Sequence, residues 1–97
     1  MIIRIVRMHF KESEVETFLN IFNENKQSIR HFKGCTHLEL LKDLKDPNLY
    51  TTLSYWINEE SLEAYRNSEL FKHVWSNVKI LFAEKSKAYS LEKFIEL

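Results

Sequence analysis

The chain holds few residues placed to do acid–base or anion chemistry, and each of them admits two readings. At about 100° per residue, Lys26 falls within about 20° of Val15 on a helical wheel, inside an apolar stripe. Its stem either snorkels to water or carries the ammonium into a pocket, where desolvation would let it polarise a phenol or act as a base. His37, in the segment CTHLELLKD, shares a parity with Cys35, Glu39 and Leu41. It is a general base near neutral pH, or a hydrogen-bonded surface or interface imidazole. Arg4 and Arg7 have opposite parity, so on a strand only one of them faces a covering layer of helices. A guanidinium so placed binds a phenolate or carboxylate, or else pairs with a neighbouring glutamate. Trp56, Tyr65 and Trp75 complete the set, as the wall of a pocket for a planar ligand or as ordinary core.

Several chemistries are excluded at this level. Cys35 is the lone cysteine, which rules out an internal disulfide and a cysteine-cluster metal site and fits a reducing, cytoplasmic compartment. His9 and His31 have no companions at metal-ligand spacing, so no bound metal is expected. One glycine and one proline leave no material for a glycine-rich phosphate loop. Fourteen basic residues balance fourteen acidic ones, without the basic excess that nucleic acid binding needs. Apolar runs such as Ile80–Ala83 fall far short of the roughly 20 residues of a membrane-spanning helix, and Arg4 and Arg7 break the only start that resembles a signal peptide.

The elements that must position these residues are legible from periodicity. Residues 2–10 (IIRIVRMHF) read as a strand. Ser13 with Glu16 three positions on has the form of a capping box, and Val15, Phe18, Leu19, Phe22 and Ile29 recur at helical spacing up to about Phe32. Gly34 suits a left-handed position, and residues 35–43 and 49–57 form two strands joined by the turn Asp46-Pro47-Asn48. Asn58 caps a helix to Arg66, Ser68 caps another to about Lys85, and Lys87 to Ile95 forms the last strand. The order βαββαβ predicts one α+β domain over residues 1–97. Its form is ferredoxin-like, a four-stranded antiparallel sheet with the helices on one face and the second helix broken at Asn67-Ser68. Apolar residues of both parities, Ile3, Ile5, Leu53 and Tyr55 against Ile2, Val6, Met8 and Trp56, leave a second sheet face to cover. A second copy of the chain is the economical cover, so a homodimer through the sheet is expected.

Four stretches carry a further likeness: MIIRIVRMHF, FKGCTHLELLKD, DPN and LSYWINEESLEAYRNSELFKHVW. Together they resemble the antibiotic-biosynthesis monooxygenase domain family over nearly the whole chain. The resemblance implies a dimeric α+β barrel with a pocket in each subunit, between helices and sheet. It implies cofactor-independent oxygenation or quinol oxidation of a small electron-rich aromatic. Arg7 is the arginine that the ungapped family match places at the pocket, where it would share the polar roles with Lys26 and His37. Trp56, Tyr65 and Trp75 would hold the ring. The heme-degrading branch carries an Asn on the first strand, a Trp on the broken helix and a His as iron ligand. Aligned through SELFK, this chain has Tyr65 and Trp75 at the last two positions and no Asn on the strand. His73 lies roughly 200° round the helix from Phe71, facing away from the core, so the resemblance speaks against heme degradation. The alternative to an enzyme is a non-catalytic dimer that binds a small apolar molecule or serves a stress or regulatory role. The terminal KFIEL would extend the last strand across to the partner.

Overall fold

The structure is a computed structural model describing residues 1–97. Its centre is strand β1 (Ile2–His9), which pairs antiparallel with β3 (Leu49–Trp56) on one side and with β4 (Lys87–Glu92) on the other. Strand β2 (Cys35–Lys42) joins β3, giving the order β2-β3-β1-β4. Helices α1 (Val15–Arg30), α2 (Glu59–Arg66) and α3 (Glu69–Val78) pack on one face, and the whole is an α+β ferredoxin-like fold. No helix is long and apolar enough to cross a membrane.

Register decides which side chains meet the helices. Ile2, Arg4, Val6 and Met8 stand opposite Trp56, Ser54, Thr52 and Tyr50. Opposed residues of an antiparallel pair share a face, so this set is the inner one, and Met8, Tyr50, Ser54 and Trp56 are buried in it. Ile3, Ile5, Arg7 and His9 lie on the outer face with Tyr55, Leu53, Thr51 and Leu49. The apolar outer face expected from the sequence is thus present, and Tyr89 and Leu91 on β4 extend it.

The core divides into two clusters. Met8, Phe10, Phe18, Tyr50, Val78 and Leu81 form the larger, at one end of the sheet. Cys35, Trp56 and Leu62, with Phe32 and Tyr65 packed against them, form the smaller at the other. Phe10 and Trp56, each 1% exposed, anchor one cluster apiece.

Some boundaries differ from expectation, for local reasons. Ser13 does not cap α1: it lies in a 3-10 turn, Glu12–Glu14, and Glu14 occupies the cap position without a side-chain bond. The other two caps form as expected, with Asn58 Oδ1 accepting from the Ser61 amide at 2.8 Å and Ser68 Oγ from the Phe71 amide at 3.1 Å. The last helix stops at Val78 and tightens to a 3-10 turn, Lys79–Leu81, instead of reaching Lys85. Backbone bonds capture the chain there: the Lys11 amide donates to the Leu81 carbonyl at 3.0 Å and the Ala83 amide to the His9 carbonyl at 2.8 Å. Strand β4 ends at Glu92, and the KFIEL segment lies exposed beyond it rather than continuing as strand.

Gly34 has φ +94°, the left-handed conformation its position called for, and it lies in the turn into β2. A Cβ there would stand 2.3 Å from Ser61 Cβ on α2. Gly34→Ala therefore meets both backbone strain and a clash, and is expected to lower stability by at least about 2 kcal/mol in urea unfolding.

Candidate functional site

The gap between the two clusters is a cavity of about 340 Å³, bounded by the inner sheet face and all three helices and lined by 19 residues of which 14 are hydrophobic. Its floor explains why it exists. Between the buried Tyr50 and Trp56, the inner positions of β3 are Thr52 and Ser54, and Ala88 stands opposite Val6 on β4. These small side chains cannot reach the helices, and the space between stays unfilled. A volume of this size lies at the lower end of the range for small-molecule sites, roughly 300–1,000 Å³.

Its wall is a run of aromatic rings. Trp56 stacks on Tyr65 with centroids 4.9 Å apart, and Tyr65 meets Phe71 edge-on at 5.2 Å. Phe71 stacks on Trp75 at 5.9 Å, and behind the wall Trp75 meets Phe82, which is outside the lining, at 5.6 Å. Offset and edge-to-face geometries of this kind are the favoured ones for aromatic pairs. The break at Asn67-Ser68 makes the run continuous: Ser68 Oγ donates to the Tyr65 carbonyl at 2.6 Å and starts α3 so that Phe71 and Trp75 follow Tyr65 along one side.

Polar groups are few. Trp56 Nε1 donates to Ser54 Oγ at 2.9 Å, which satisfies the buried indole. Arg4 lies between Ser54 and Ser90 across its two neighbouring strands, and its Nη1 donates to Ser90 Oγ at 2.9 Å. Burial and the neighbouring Arg66 both press the Arg4 guanidinium below its usual basicity, with Glu63 acting against them. Burial, with a smaller contribution from Cys35, pushes the Tyr65 phenol well above the usual tyrosine range.

Residues 1–75 match the family model described as antibiotic biosynthesis monooxygenase. The chain belongs to the antibiotic biosynthesis monooxygenase family. Solved structures agree at the level of fold. The crystal structure of an antibiotic biosynthesis monooxygenase superposes with TM-score 0.91 at 17% identity, covering 98% of this chain and 100% of that one. A conserved protein from Methanosarcina mazei Go1 gives 0.90 at 22% identity, covering 97% and 94%. A protein from Mycobacterium tuberculosis gives 0.90 at 15% identity, covering 98% and 96%. No curated protein sequence matches the chain.

Of the residues that the sequence suggested for this monooxygenase-family fold, Trp56, Tyr65 and Trp75 line the cavity together. Arg7, Lys26 and His37 do not come together, and none of them lines it. Arg7 is on the outer face because the β1 register turns Arg4 inward, so the arginine at the cavity is Arg4. Lys26 is exposed. The deepest residues of α1 are Phe18 and Ile29, and Lys26 stands roughly 60–80° round from them, level with half-buried Val15 at the margin of the stripe. His37 is turned outward by an irregularity in β2 between Cys35 and His37, which puts Cys35 opposite Trp56 and His37 opposite Tyr55. There it bonds to Glu39 and lies 4.8 Å from the Tyr55 ring. His73 is exposed, as its place on the helical wheel indicated.

Arg66 was not anticipated at the cavity. It directly follows Tyr65 at the end of α2, and the alternation of Tyr50 and Trp56 with Thr52 and Ser54 is the pattern that could have revealed the hollow beside it.

The raised Tyr65 and Cys35 groups have a consequence for stability. Both hold their protons more tightly folded than unfolded, so their contribution is complete below the ordinary thiol and phenol values and falls as pH rises past them. Urea midpoints are expected to decline between about pH 8 and about pH 10.5, with a shallower decline in Tyr65→Phe.

Proposed function

We propose that the cavity binds a small electron-rich aromatic and that the chain acts on it as a cofactor-independent monooxygenase or quinol oxidase. The observation that carries this reading is a guanidinium, Arg4, lining a mostly apolar cavity walled by Trp56, Tyr65, Phe71 and Trp75, with Arg66 as the other cation in the lining. A phenol or quinol bound there ionises more readily beside a fixed cation, and the dry aromatic wall keeps that charge from being screened. The resulting phenolate passes an electron to dioxygen. In the oxidase course a second electron and two protons follow, leaving quinone and hydrogen peroxide. In the oxygenase course the radical pair joins as a C–O bond, and loss of water leaves a new carbonyl. Tyr65, held neutral by burial, is suited to donating a hydrogen bond to reduced oxygen or to substrate.

A second reading has its own support: no carboxylate or imidazole lines the cavity, so no side chain there is an ordinary base near neutral pH. In that reading the chain holds its ligand without turning it over. Oxygen uptake with 1,4-dihydroxynaphthalene, measured above the spontaneous rate, separates the two. Enzymatic uptake is expected to fall on the order of 100-fold in Arg4→Gln and to stay within about twofold in Lys26→Gln. No uptake above background would favour the binding reading.

We also propose that the outer sheet face, with Ile3, Ile5, Leu53, Tyr55, Tyr89 and Leu91, is covered by a second copy of the chain. Sedimentation equilibrium is expected to give twice the chain mass, and Ile5→Glu with Leu53→Glu to give the monomer.

A further inference from the structure

We propose that Arg4 and Arg66 select an aromatic acid, its flat hydrocarbon body in the ring-lined cavity and its carboxylate held between the two guanidinium groups. This rests on the cavity being a ligand site, with the carboxylate taking at Arg4 the place given above to a phenolate, and goes further by fixing the charge and shape of what enters. Both arginines line the cavity, and no carboxylate lines it with them. Arg4 forms no ion pair. One of its five donors is used, on Ser90 Oγ at 2.9 Å, and the residues flanking it across the sheet, Ser54 and Ser90, are too short to fill the space beside it. Arg66 bonds through Nη1 to Glu63 Oε2 at 3.3 Å, and Glu63 Oε1 also accepts from Asn67 Nδ2 at 3.4 Å, which holds that carboxylate against its own helix end.

Two guanidinium charges therefore face one carboxylate, and a single positive charge is left over at the cavity. Burial first, and then the charge of Arg66, lower the basicity of Arg4, and an incoming anion offsets both. Size and lining narrow the class. Inorganic anions would leave the aromatic surface unfilled, and a neutral hydrocarbon would leave Arg4 half-desolvated and unpaired. A planar carboxylate fits the arginine fork by two parallel hydrogen bonds, and a planar body stacks on the less buried rings, Tyr65 or Trp75. The charge left over favours a monoanion.

The test is calorimetric titration with three probes of one body: 2-naphthoate, 2-naphthamide and 2-naphthylmethylammonium. The acid is expected to bind at least about 10-fold tighter than the amide, the ratio characteristic of a charge-assisted pair, and the ammonium weakest of all. Arg4→Gln should bring the acid down to the affinity of the amide while the amide itself changes little. Arg66→Gln, at an exposed helix end where folding is not at stake, should weaken the acid by about threefold, as a partly screened charge would. Equal binding of acid and amide by the unaltered protein would overturn the charge selection and leave the cavity a ligand site. Acid preference persisting in the Arg4→Gln, Arg66→Gln double variant would place the anion elsewhere and overturn it too. Failure of all three probes to bind would overturn both this inference and the cavity as a site.

Discussion

The pairing of β1 with β3 is the constraint on which the site depends. Ile2 opposite Trp56 sets every later pair, and with a period of two it sends Arg4 to the helices and Arg7 to the outer face. A one-residue slip would exchange the two arginines, and would also bring Ile3 and Ile5 inward in place of Ile2 and Val6. Both sets are apolar, so hydrophobicity alone chooses weakly between them. What chooses is Met8 packed with Phe10, Phe18 and Tyr50 at one end and Trp56 packed with Cys35 and Leu62 at the other. The two clusters clamp the register from both ends, and the hollow between them is left to the shorter side chains.

The same division explains how so small a domain carries a cavity. A 97-residue chain has little core to spare, and an unfilled volume costs packing energy. Here the cost is contained, because the aromatic run from Trp56 through Tyr65, Phe71 and Trp75 to Phe82 spans the hollow and joins the clusters, with Phe82 packing on Phe10 at 5.4 Å. Large rings serve this purpose because they reach across a gap that aliphatic side chains would leave open.

Periodicity made the element order legible, and the turn and cap chemistry of Asn58, Ser68, Gly34 and Asp46-Pro47-Asn48 located most junctions. The aromatic residues of the wall were legible for the same reason, since Tyr65 and Trp75 fall on the apolar side of helices whose starts were correctly placed. The polar residues were not. A single irregularity between Cys35 and His37 reverses the parity from which His37 was read, and nothing in the spacing of residues 35–37 announces it. Lys26 failed differently: an apolar stripe has a centre and margins, and membership in the stripe does not say which a residue occupies. The choice between Arg4 and Arg7 hung on a register that only long-range packing determines.

The break at Asn67-Ser68 leaves α2 with 8 residues and α3 with 10, below the roughly 12–15 at which a helix holds its shape unaided in water. Their order is borrowed from what they lean on, and part of what they lean on is empty space. A guest that fills the hollow therefore completes the packing of its own enclosure, and by mass action its affinity and the rigidity of these two short helices rise together. The lining of the hollow and the least self-sufficient part of the fold are one and the same, so whatever firms either one firms the other.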